Sequence, residues 1–149
     1  MSVLKLLGRP ARDLLYCSPT DELLDVVRDL VNNNVNAITV LDTKEALVGI
    51  LTDHDIMRAV TFSKGDLSGV EVHEWMTDKV ITCTFDTKVT DALRLMGKHS
   101  IRHLVVTDCD VPVATLSIRE VLAKIHEQDE LEIDVLRDIA IASRASSAA

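Results

Sequence analysis

Apolar residues recur along this chain in two alternating rhythms, a three-to-four spacing and short unbroken runs. Leu23, Val26, Val27 and Leu30 stand at i, i+3, i+4 and i+7, which lines one face of an amphipathic helix. Ser18-Pro19-Thr20-Asp21 ahead of it supplies helix-starting residue types, and Asn32-Asn33-Asn34 ends it. Two apolar runs follow, residues 37–41 and 47–51, the second broken only by Gly49, and the polar residues 42–45 between them predict a hairpin turn. The second run stops at Thr52, a hydroxyl residue able to cap a helix that begins at Asp53 and reaches about Phe62.

The same order returns after a shift of 66 positions. Cys17, Asp25, Arg28, Val40 and Asp42 recur unchanged as Cys83, Asp91, Arg94, Val106 and Asp108. Leu23, Val26, Leu30 and Ile38 recur in kind as Val89, Ala92, Met96 and Leu104. Shortening the second hairpin turn by one residue brings Leu51 onto Leu116, Thr52 onto Ser117 and Asp55 onto Glu120. Each unit is therefore β-α-β-β-α, and the pair makes an α+β chain whose two sheets close a common core with pseudo-two-fold symmetry.

The pattern divides the chain into residues 1–69, the first repeat with an N-terminal segment and a Ser/Gly-rich linker, and 70–142, the second repeat with an extended last helix. Val3–Leu7 forms one apolar turn before Gly8-Arg9-Pro10 breaks it, and residues 70–76 form a short helical turn carrying the only Trp. The last helix continues from Arg119 to about Ala140, with Leu131, Val135 and Ile139 spaced four apart. That stripe needs cover, either from its own domain or from a second subunit. Residues 143–149 read as a flexible, frayed tail.

Sixteen basic against twenty-four acidic residues give a net charge of −8, and aromatics make up 3% of the chain, so nucleic acid has neither a basic face nor a stacking platform. No apolar run approaches the roughly 20 residues of a membrane helix, and residues 1–7 are too short for a secretory signal, so the expected location is cytoplasmic, with no membrane partner. Cys17, Cys83 and Cys109 lack paired spacing and are read as buried thiols packed like small hydrophobes. Consecutive helix residues point about 100° apart, so Asp53, His54 and Asp55 do not converge on a metal or form a catalytic dyad, and no activated nucleophile is visible.

The chemistry that remains lies where the strand hands over to the helix. Main-chain donors without partners and a partial positive charge gather at such a point, beside Thr52 and Asp55. The spacing Thr52-x-x-Asp55, repeated as Ser117-x-x-Glu120, serves equally as a capping box, with the acid turned back to the main chain. Spacing alone leaves both readings open.

The run Leu47-Val48-Gly49-Ile50-Leu51-Thr52-Asp53-His54-Asp55-Ile56, the connecting Glu74-Trp75-Met76-Thr77-Asp78-Lys79-Val80-Ile81-Thr82-Cys83 and the later Ile101-Arg102-His103-Leu104-Val105-Val106 resemble a tandem cystathionine β-synthase (CBS) domain pair, over residues 3–139. The chain looks most like the small stand-alone members. The resemblance implies a non-enzymatic Bateman module, with clefts between the repeats for AMP, ADP, ATP, S-adenosylmethionine or NAD, that signals to a partner protein and associates as a homodimeric disc. It implies further that Gly49, Thr52 and Asp55 hold a ribose, and that Arg102 and His103 reach a phosphate. Ser117 and Glu120 match only in part, because Ala114 replaces the glycine and the acid is one methylene longer. The same fold without a ligand, as a scaffold, is the alternative.

Overall fold

The computed structural model describes residues 1–8 and 14–147. The break read at Arg9 and Pro10, and the final residues 148–149, lie outside them. Two three-stranded sheets carry the chain, one ordered β1 (Tyr16–Cys17), β2 (Ala37–Leu41), β3 (Leu47–Thr52) and the other β4 (Thr82–Thr84), β5 (His103–Asp108), β6 (Val111–Ser117). Helices α2 (Leu23–Asn32) and α4 (Val89–His99) return the chain so that the first strand of each sheet lies parallel to the second, while the second and third form an antiparallel hairpin. Cys17 pairs with Val40 as Cys83 pairs with Val106, and Ile38 with Leu51 as Leu104 with Leu116. Both hairpins slip at the same place, between Val40 and Leu41 and between Val106 and Thr107. The duplication read from the residues is thus a duplication of hydrogen-bond register.

In place of the single common core expected, each repeat has its own core, and each core is closed by a segment that precedes the other repeat in the chain. Val3 and Leu6 of α1 (Val3–Leu7) are buried with Val89, Met96 and Leu116 of the second repeat, and Val3 N–H donates to Thr87 O at 2.9 Å. The 3₁₀ turn Val72–Glu74 puts Val72 among Leu23, Ile38 and Leu51 of the first, where Val72 N–H donates to Asp21 O at 3.0 Å. Chain order divides at the linker, whereas packing crosses it and interlocks the halves. A small cluster of Ala37, Ile50 and Val105 joins the two sheets directly.

After β3 comes α3 (Asp53–Phe62), and after β6 comes α5 (Ile118–Ser147). The second corrects the expected end near Ala140 and the frayed tail from 143. Ala140, Ala142 and Ala145 favour helix, and no Gly or Pro follows Pro112 to stop it. Its apolar stripe does not fold back on the described chain: Leu131, Leu136 and Ile139 are 65%, 60% and 59% exposed. No helix among the described residues is long and apolar enough to cross a membrane. Cys17 and Cys83 sit in the two cores, where burial pushes their thiols up to about 12 and about 11, with Asp21 and Asp29 adding to the rise at Cys17. Cys109 departs from the expected burial, because it lies exposed in the tight β5–β6 turn with φ +49°.

Candidate functional site

A cleft of about 290 Å³ opens between the repeats where β3 meets α3. Thr52, Asp53, His54 and Asp55 of the first repeat, Thr77 and Lys79 of the connection, and Ile101, Arg102 and His103 of the second repeat line it. The extended backbone of Thr52 (φ −116°, ψ 167°) ends the strand and caps the helix. Its Oγ1 accepts the Asp55 N–H at 3.4 Å, and Asp55 Oδ2 accepts the Thr52 N–H at 3.0 Å. This is the reciprocal capping box.

Asp55 has further partners. Thr52 Oγ1 donates to Oδ2 at 3.2 Å, and Thr77 Oγ1 lies 3.2 and 3.3 Å from the two carboxylate oxygens. Arg58 stands 3.9 Å off, and the Asp55 residue is 3% exposed. Of the two readings left open by spacing, the cap is therefore realised at Asp55, whose carboxylate reaches the cleft wall with donors already in place. Of those donors, only the Thr77 hydroxyl comes from outside the junction.

Gly49 lies outside the cleft lining and acts at one remove. A Cβ there would stand 2.5 Å from Met76 Sδ and 3.2 Å from Thr77 O. Its absence lets residues 76–77 come against β3, where Ile50 and Thr77 exchange two main-chain hydrogen bonds of 2.9 Å. That approach delivers the Thr77 hydroxyl to Asp55.

Arg102 and His103 line the same cleft as Thr52 and Asp55. Arg102 Nη2 lies 3.4 Å from Asp53 Oδ1. His103 borders the second cleft as well. Burial lowers its pKa below the ordinary imidazole range, Asp53 and Glu120 oppose that shift, and Arg102 and Arg119 reinforce it.

The second cleft, about 250 Å³, is lined among the described residues by Asn34, Val35, Asn36, Ala37, Thr115, Ser117, Arg119 and Glu120 besides His103. Glu120 Oε2 accepts the Ser117 N–H at 2.9 Å, and Ser117 Oγ accepts the Arg119 N–H at 3.1 Å. Here too the acid caps, but on the surface. Ser117 and Glu120 are thus brought together with each other and kept apart from Thr52 and Asp55. The sequence reading missed Thr77, Lys79 and Arg119. The signals were present: Thr77 and Lys79 lie in the connecting stretch 74–83, and Arg119 holds the place of His54 in the repeat.

Residues 7–61 and 71–127 each match the profile of the CBS domain. A mitochondrial CBS domain-containing protein of Arabidopsis thaliana is 34% identical over 121 residues, which is 78% of this chain and 59% of that protein. An uncharacterized Bacillus subtilis protein is also 34% identical over 97 residues, 64% of each chain, so this chain spans less than two thirds of these curated relatives. Among solved structures, a CBS-domain protein of Agrobacterium tumefaciens superposes with TM-score 0.76 at 25% identity, over 83% of this chain and 92% of that one. A CBS domain protein of Pyrobaculum aerophilum, complexed with AMP, superposes with TM-score 0.70 at 28% identity, over 80% of this chain and 89% of that one.

Proposed function

The chain is a tandem CBS-domain protein of the Bateman type, and from that premise we propose that it is a non-catalytic sensor, holding AMP, ADP or ATP in the first cleft and signalling occupancy to a partner protein. The observation that carries this reading is the lining of that cleft, which gathers Thr52 and Asp55 of the first repeat with Lys79 of the connection and Arg102 and His103 of the second repeat. A ribose hydroxyl takes over the acceptor site that the Thr77 hydroxyl now uses on Asp55, and the phosphate lies toward Lys79 and Arg102. The AMP carried by the Pyrobaculum aerophilum protein belongs to the same ligand class. The signal is a change in the relative tilt of the repeats, limited by how differently the ligand binds the two arrangements. Two copies pair through the exposed stripe of α5, in which Leu136 and Ile139 are 60% and 59% exposed; light scattering reads the mass of that homodimer directly.

A ligand-free scaffold is favoured by one observation, the burial of Asp55 at 3% exposure with its donors already supplied. Thermal unfolding with adenosine, AMP, ADP, ATP, S-adenosylmethionine and NAD separates the two readings. A ligand at 100 times its Kd adds about 2.7 kcal/mol of stability. A rise with an adenine nucleotide is expected, and no rise with any of the six compounds decides for the scaffold.

A further inference from the structure

Arg102 has the planar fork best suited to a phosphate, and in the first cleft it already holds an anion. Its Nη2 lies 3.4 Å from Asp53 Oδ1, in an ion pair that spans the two repeats with both side chains about half exposed. The same Oδ1 accepts the His54 N–H at 2.9 Å, a main-chain donor in the first turn of α3. One carboxylate therefore occupies a guanidinium and a helix-start N–H together, two donors that a phosphate oxygen would seek. In the second repeat the position of Asp53 is taken by Ile118, which offers no such anion.

The charge of the cleft follows. Asp53 and Asp55 on its walls balance Lys79 and Arg102, so the site has no net positive charge to offer while its imidazoles are neutral. We propose that Asp53 is a specificity-determining residue, an internal competitor for Arg102 that makes the first cleft prefer a nucleoside monophosphate to a triphosphate. This rests on the nucleotide reading and narrows it. A ligand phosphate must either displace Asp53 from Arg102 or bind beside it, and each added phosphate brings more negative charge near the carboxylate. Between half-exposed groups such repulsion changes affinity by about a factor of 1.5 to 5 per charge.

Calorimetric titration of the full chain and of Asp53→Asn with adenosine, AMP and ATP tests this. Asn keeps the side-chain volume and is tolerated at a helix start; the urea midpoint verifies the fold. The variant is expected to bind adenosine within about twofold of the parent, AMP about threefold tighter and ATP about tenfold tighter, with the gains shrinking at high salt. In an Arg102→Gln background the gains should shrink by at least about half, because the part that comes from competition for the guanidinium is lost and only the direct repulsion between Asp53 and the phosphates remains. Equal changes for all three ligands, no gain for either phosphate, or gains of undiminished size without Arg102 would overturn the assignment. If neither parent nor variant binds any of the three, the nucleotide reading itself falls, an outcome distinct from bound ligands whose ranking Asp53 does not alter.

Discussion

The two strand-to-helix junctions are built on one pattern and end in different states. At the first, Asp55 is 3% exposed and takes hydrogen bonds from Thr52 and from Thr77, a residue of the connection between the repeats. At the second, Glu120 is exposed and, among the described residues, accepts a hydrogen bond only from the Ser117 N–H. The difference begins at Gly49 and its counterpart Ala114, which pair with Val40 and Val106 at equivalent sheet positions. Where no Cβ intervenes, the neighbouring segment closes on the strand and ties the acid to both halves of the molecule. A shared motif thus serves as a joint in one repeat and, among the described residues, as a surface cap in the other, and at the first junction the joint depends on a glycine that is no hydrogen-bond partner of the acid.

Removing the acids should break this symmetry most. Asp55→Ala leaves the Thr77 hydroxyl and the Thr52 N–H without their acceptor in a buried place, for an expected loss of about 3 kcal/mol in urea unfolding. Glu120→Ala removes one exposed cap, for about 0.5–1 kcal/mol. Equal losses would mean that the two junctions do not differ in the way described. Asp55→Ala should also weaken nucleotide binding by at least about tenfold.

Exchanging the small residues sharpens the same contrast at lower cost. Gly49→Val forces Met76 aside and presses on the main chain at Thr77, so about 2 kcal/mol is expected, at the middle of the range for overpacking. Ala114→Gly adds strand flexibility only, about 0.5–1 kcal/mol. Hydrogen exchange gives the local readout: the Ile50 and Thr77 amides, bonded to each other's carbonyls, should lose protection in Gly49→Val ahead of the rest of β3. Protection unchanged at those two amides would separate Gly49 from the joint.

Much of this was legible in the residues, because register and capping are local. The hairpins, the shift of 66 and Thr52 as a cap follow from side-chain period and residue type. Arg102 and His103 came from the resemblance and not from any local pattern, and they line the cleft that Thr52 also lines. The crossing of α1 onto the second core was not legible, since Val3 and Leu6 announce that they are buried and not in which half. Lys79 gave no periodic signal, because it lies in a connection with no regular element. The sugar at Asp55 came from the resemblance, and spacing could not reveal that Thr77, twenty-two positions away, supplies the acid with another donor.

The smallest expected effect concerns His103, the residue shared by the clefts, whose counterpart in the first repeat is Ala37. Its neighbours are Asp53 and Arg102 on one side and Glu120 and Arg119 on the other, and burial sets the direction, with a folded-state pKa below the ordinary value. The unfolded imidazole takes up its proton near pH 6.5, while the folded one does so only at lower pH. Between those two values the unfolded chain binds more protons, so stability falls as pH is lowered through the window and levels off below the folded pKa. His103→Ala, which copies the first repeat, should remove that part of the slope, read as the difference between parent and variant in urea midpoints from pH 7.5 to 5.5. Parallel curves would mean that the imidazole is not held neutral by its surroundings. A phosphate in either cleft should favour the protonated imidazole, so nucleotide binding near pH 6.5 should take up protons in the parent and fewer in His103→Ala.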